Sequence, residues 1–240
     1  MNVGLPKREL EAEARPAWLG LYKLGGIASI IGGALTIADI MVYVIWPQPT
    51  TIQGWFALFQ KNPVVGLLDY DLLGMIVYVI IIPAIIALYV SLRRTSQSWA
   101  AFGAVLTFVG MAAYFASNTG VSMLSLSSQY AAATTDAQRA MFLAAGEAVL
   151  AIFQGPAFTT SFLLVSLALL ITAVVMFRSE VFSKRIACIG IIASVAGLTE
   201  NFLPSSEIVI LVVALLNAIG LGIWFILIGR HLLRWSRRVL

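Results

Sequence analysis

Charge is scarce in this chain, and so are the residues that hold metals and disulfides. Only 11% of its 240 residues are charged and 60% are apolar, against about 25% and about 45–50% in an ordinary water-soluble domain. A soluble core cannot absorb that surplus. The single cysteine, Cys188, and the single histidine, His231, leave no disulfide framework, no CxxC pair and no soft-metal cluster. A GxSxG elbow, an HExxH helix and a phosphate-cradling glycine loop are missing too. The sequence therefore points to no enzyme, no metal and no cofactor. Its formal charge of +4 would suit nucleic acid, but the basic residues flank hydrophobic runs and form no nucleic-acid surface. Residues 1–21 form a leader that carries Lys7, Arg8, Glu9, Glu11, Glu13 and Arg15 without the apolar run of a signal peptide. It reads either as an amphipathic helix on the inner membrane surface or as a solvated tail.

What the chain has in quantity is long apolar runs. A spanning helix needs ~20 mostly apolar residues to cross ~30 Å of hydrocarbon, and six stretches qualify or come close: about 22–46, 71–92, 99–121, 156–177, 186–203 and 207–229. Within lipid every backbone N–H and C=O must be paired, so these are helices or barrel strands. Runs without in/out alternation exclude the barrel. Every Lys and Arg except Lys61 and Arg139 then falls on one side, which is the cytoplasmic side because loops rich in Lys and Arg stay there during insertion. The expected fold is all-α: a polytopic six-helix transmembrane bundle at residues 22–229, followed by a basic cytoplasmic tail at 230–240, with both termini cytoplasmic.

The outer loops are longer than turns. Within 47–70, Thr51 can cap a short helix that stops at Asn62-Pro63, with Trp55, Phe56 and Phe59 expected at the headgroups. Residues 122–155 begin serine-rich and then read as a helix opening at Thr134 or Thr135, with Thr135 and Gln138 in capping-box spacing. Gly155-Pro156 breaks the chain before the fourth span. Short helices are thus expected to cap the outer face.

Two spans carry stripes of small residues. Gly25, Ser29, Gly32 and Thr36 lead to Asp39 at spacings of 4, 3, 4 and 3, and Gly190, Ala193 and Gly197 lead to Glu200 at 3, 4 and 3. Such stripes let helix backbones approach closely in lipid, where no hydrophobic drive brings helices together. Asp39 lies ~24 Å along the axis from Lys23, and Glu200 ~22 Å from Arg185. Both carboxylates are therefore expected in the outer third of the bilayer, near Asp69, Asp71, Asn118, Glu147 and Asn201. An intramembrane carboxylate is costly, which makes Asp39, Asp71, Asn118, Glu147, Glu200 and Asn201 candidates for an outward-facing pocket that binds an ion or small ligand. The same groups also fit a structural role, wetted near the interface or accepting bonds from Thr36, Thr199 or tyrosine hydroxyls. His231 reads as an interfacial anchor beside the arginines, Pro83 as a kink and Asn217 as a polar contact between helices.

The segments LLDYDLLGMIVYVIIIPAIIALYVSLRR, YFASNTGVSMLSLSSQYAAATTDAQRAMFLAAGEAVLAIFQG and VFSKRIACIGIIASVAGL resemble those of a widespread set of uncharacterised six-pass bacterial membrane proteins carried as domains of unknown function. That resemblance implies six helices and a bacterial inner membrane, and it implies no activity. Two functions are expected from the residues. The first is a non-catalytic accessory subunit, scaffold or regulator that packs through its glycine-rich faces on other membrane proteins or on itself, with membrane lipid as its other partner. The second is an ion- or small-molecule-binding protein, or a transporter, with an acidic pocket at the outer mouth.

Overall fold

The computed structural model describes residues 18–46, 48–200, 202 and 207–238, and all its regular elements are α-helices. The leader up to residue 17, Asn201 and the last two residues lie outside the described residues. Among the described residues ten helices run in order: α1 (Leu19–Ile45), α2 (Ile52–Lys61), α3 (Pro63–Asp69), α4 (Leu72–Leu92), α5 (Gln97–Ser117), α6 (Gly120–Ala132), α7 (Asp136–Phe153), α8 (Pro156–Arg178), α9 (Lys184–Glu200) and α10 (Glu207–Arg238). Stretches containing α1, α4, α5, α8 and α10 are long and apolar enough to cross a membrane. The 17 residues of α9 span ~26 Å, a little short of the hydrocarbon thickness.

The six long helices close a ring in the order α1, α4, α5, α8, α9, α10 and back to α1. Neighbours run antiparallel: Gly25 of α1 faces Ala87 of α4 and Gly32 faces Ile81, while Gly26 faces Gly229 of α10 and Gly33 faces Gly222. The basic turns between the long helices, Arg93 and Arg94 after α4 and Arg178 to Arg185 between α8 and α9, therefore gather at one end with the start of α1 and the finish of α10. Ile81, Ile85, Leu88, Leu169, Trp224 and Ile228 fill the interior. Outward, Leu24, Val79, Phe102, Val105, Ile192 and Val212 are exposed, an apolar girdle that only a hydrocarbon solvent would tolerate.

The other end is roofed by α2, α3, α6 and α7 around a core of their own, Ile52, Trp55, Phe56, Phe59, Tyr70, Met123 and Phe153. Thr51 caps α2 by accepting from the Gly54 N–H at 3.2 Å, and the reciprocal Thr135–Gln138 box opens α7. Two elements differ from expectation. Asn62-Pro63 ends α2 but also starts α3, since the Asn62 side chain accepts from Val64 and Val65 and Pro63 occupies the first helical position. The serine-rich segment is helical as α6: Ser128 returns its hydroxyl to Leu124 O, and Ser127 donates to Phe56 O at 2.9 Å while its own carbonyl accepts from Gln60. Trp55, Phe56 and Phe59 are at most 1% exposed, so they anchor the cap's core and not the headgroups. At the basic end the structure carries α10 past 229 as helix to Arg238, and Trp235 lies 5.1 Å from the Tyr22 ring.

Candidate functional site

The chain crosses from cap to bundle at Tyr70-Asp71, and the backbone there is unusual. Asp71 has φ 70° and ψ 31°, the one described non-glycine residue with positive φ. It terminates α3 by donating its N–H to Leu68 O at 3.1 Å and immediately precedes α4. Left-handed backbone costs an L-residue about 1–2 kcal/mol, less for Asp or Asn, and is usually given to glycine. An aspartate retained in that conformation has to be held by its surroundings.

The surroundings are specific. Tyr70 is fully buried, stacked on Phe153 at 4.1 Å, with its hydroxyl 3.1 Å from Thr119. Asn118 donates to Tyr70 O at 3.3 Å and accepts from Gly120 N at 3.2 Å, so it fastens the start of α6 to the crossing point. The Tyr114 hydroxyl of α5 donates to Asp71 O at 3.4 Å. It also sits beside the Asp71 carboxylate, because a side chain at Gly74 would strike both Asp71 Oδ1 and the Tyr114 oxygen. Tyr78, a turn into α4, packs edge-on against Tyr114 at 4.6 Å.

Asp39 of α1 reaches the same level, because it lies seven residues past Gly32, whose partner Ile81 lies seven residues past Gly74 in the antiparallel α4; its charge is then within range of Asp71, Tyr78 and Tyr114. Asp39 and Asp71 are both half-buried. The Tyr114 hydroxyl and the Gly74 N–H meet the Asp71 carboxylate, and no basic side chain among the described residues offsets the pair. The hydroxyls of Thr36 and Thr199 are spent on Gly32 O and Ala196 O in their own helices, so neither serves a carboxylate.

The remaining candidates lie elsewhere. Glu147 is exposed on α7, and Glu200 ends α9, which packs on α8 and α10. Asn201 lies outside the described residues. Gly25, Ser29 and Gly32 face α4, where a Cβ on Gly25 would stand 2.6 Å from the Ala87 methyl, and Ser29 is buried with its hydroxyl on Gly25 O. Gly190 meets the Trp224 indole, Ala193 meets Gly220, and Gly197 meets Asn217 and Ser166. Asn217 donates to Ala193 O at 2.8 Å.

Sequence reasoning passed over Tyr78, Tyr114 and Gly74. It also gave no special place to Asp69, the last residue of α3, which is 4% exposed with neither carboxylate oxygen hydrogen-bonded. Burial without a partner raises its carboxyl from 3.8 to about 6. Among the described residues no three His, Cys, Asp or Glu side chains come together as a metal cluster.

A family model described as Domain of unknown function (DUF4386) matches residues 71–229, from the crossing point to the last turns of the bundle. No curated protein and no solved structure matches the chain significantly.

Proposed function

We propose that this chain, which belongs to the DUF4386 family, is a six-pass protein of the bacterial inner membrane that binds a small monovalent cation at Asp39 and Asp71. The basic end faces the cytoplasm and the cap faces outward. In support of six passes, α9 closes the ring between α8 and α10, and Lys184 and Arg185 at its end can extend a short span by snorkelling.

The observation that carries the binding reading is the placement of two carboxylates at one level of adjacent elements beneath a folded cap, Asp71 beside Gly74 and Asp39 seven residues past the Gly32–Ile81 contact, with no basic partner among the described residues. A cation between them removes the repulsion and is held by it. Two carboxylates and a phenol are a sparse set for a divalent ion, which takes six or more oxygens; a proton, an alkali-metal ion or a small ammonium fits better. The reading is binding without chemistry, and Ile81, Ile85, Leu88 and Trp224, which pack the interior below the pair, support a site that opens to the cap side. The accessory-subunit alternative rested on glycine-rich faces free to dock, and those faces meet α4 and α10 within this chain.

Thermal unfolding of purified protein at constant ionic strength, with sodium, potassium, ammonium or a bulky organic cation, tests this. A small cation is expected to stabilise the wild type. Asp39→Asn and Asp71→Asn should each abolish that effect, and Glu200→Gln should keep it. Asp71→Gly should lose the effect while relieving the left-handed backbone, so its basal stability holds or rises. Cation-insensitive wild-type protein, or stabilisation that survives both asparagine variants, would overturn the proposal.

A further inference from the structure

We propose that the basic end holds a headgroup site for a phospholipid bearing both a phosphate and a primary ammonium, the phosphatidylethanolamine class. A cleft of about 420 Å³ opens there, lined by Glu180, Val181, His231, Arg234 and Trp235. Its size lies in the ~300–1,000 Å³ range of small-ligand sites. It carries both signs of charge on separate elements: Glu180 comes from the link between α8 and α9, and Arg234 from α10. Both side chains are exposed, so neither is committed to the interior.

The cleft is aromatic as well as charged. The His231 ring lies 4.7 Å from Phe182 and 6.5 Å from Trp235, and Trp235 is braced by Tyr22. An indole beside guanidinium groups is the chemistry of the membrane–water boundary. A phosphate diester matches Arg234 as a charge-assisted, fork-shaped partner. An ammonium with N–H bonds to give matches Glu180. The ligand is a lipid and not a soluble phosphate, because Val174 and Phe177 in the last turns of α8, next to the link that supplies Glu180, are exposed where acyl chains would run, and the Lys184 ammonium over the Phe177 ring marks the polar edge of that surface.

Glu180 is therefore the selective element. Choline headgroups have no N–H to donate, and glycerol headgroups have no cation to offer. The test is native mass spectrometry of purified protein challenged with chain-matched phosphatidylethanolamine, phosphatidylcholine and phosphatidylglycerol, with soluble phosphoethanolamine as competitor. Wild-type protein is expected to retain the ethanolamine lipid roughly tenfold over the choline lipid, equivalent to ~1.4 kcal/mol. Glu180→Gln should erase that preference and leave the glycerol lipid's retention no lower, Arg234→Ala should weaken all three, and phosphoethanolamine should not displace the bound lipid. Equal retention of the ethanolamine and choline lipids by the wild type overturns the proposal without reference to any variant. So does a preference that survives Glu180→Gln, or displacement by equimolar phosphoethanolamine, which would point to a soluble ligand.

Discussion

Asp69 is the sharpest place to perturb this molecule, because its carboxylate is buried in the cap with neither oxygen bonded. An ionised group in that position is a penalty on the folded cap and not a contribution to it. Its folded value, about 6, lies above the 3.8 of an exposed aspartate. Between those two values the folded cap holds a proton that the opened cap releases, so stability is lost as pH rises through the interval and is fully present below it. At ~1.4 kcal/mol per pH unit the total comes to about 3 kcal/mol, or roughly a hundredfold in the opening equilibrium.

Asp69→Asn keeps the shape and removes the charge. Hydrogen exchange of the α2 and α3 amides, compared between wild type and variant at each pH, cancels the intrinsic exchange rates. Near pH 4 the two proteins should open alike. By pH 8 the wild-type cap should open roughly a hundredfold more often than the variant. A wild-type-to-variant ratio that stays constant across pH would refute the reasoning, as would a variant that opens more at every pH, since the carboxylate would then be making bonds that hold the cap.

Two predictions concern the bundle. Gly33→Ala forces a methyl against the Gly222 carbonyl and within 3.1 Å of Ile226 N, both backbone, and should cost about 1–3 kcal/mol, whereas Gly20→Ala, with nothing within 4 Å, should be neutral or stabilising by up to about 1 kcal/mol; unfolding in mild detergent ranks them, and equal effects would deny the α1–α10 contact. Gly190→Ala places a methyl 2.5 Å from the Trp224 indole and should destabilise by a similar amount, while Trp224→Phe withdraws the colliding atoms together with a buried N–H that has no acceptor; the double variant should regain at least half the Gly190→Ala loss, and strict additivity would mean the two do not meet.

The long helices were legible because hydrocarbon permits no unpaired peptide groups, and a span must therefore write itself as a continuous apolar run. The helix starts at Thr51 and Thr135 were legible because a side chain that caps is local to the residues it caps. Angular position was not legible. Counting residues from Lys23 and Arg185 gives depth, so Asp39, Asp71, Glu147 and Glu200 all read as one mouth, yet depth says nothing about where around the ring a side chain stands. Only Asp71 stands with Asp39, because α1 and α4 are neighbours, and Glu147 and Glu200 belong to other elements. The same gap hid a second glycine seam, Gly26 and Gly33 against Gly229 and Gly222: each half has a spacing of seven that means little until its partner is known. Trp55, Phe56 and Phe59 share an apolar face that suits lipid or protein equally, and α6 and α7 cover it.

The conformation of Asp71 ties the cap to the candidate site. Tyr70 is locked in the cap core by Phe153 and Thr119, Asn118 of the α5–α6 junction holds its carbonyl, and the next residue turns left-handed to place a carboxylate beside Tyr114 and within range of Asp39. A glycine would make that turn at less cost, so the side chain is what an aspartate adds there. Under the cation-binding proposal, occupancy of the pair and closure of the cap are one equilibrium read at two places. A cation that favours the closed cap by some factor must be bound more tightly by the closed cap by that same factor. Because Asp69 stands two residues from Asp71, protonating it, or replacing it with asparagine, should then tighten cation binding at a pair whose own side chains it leaves untouched.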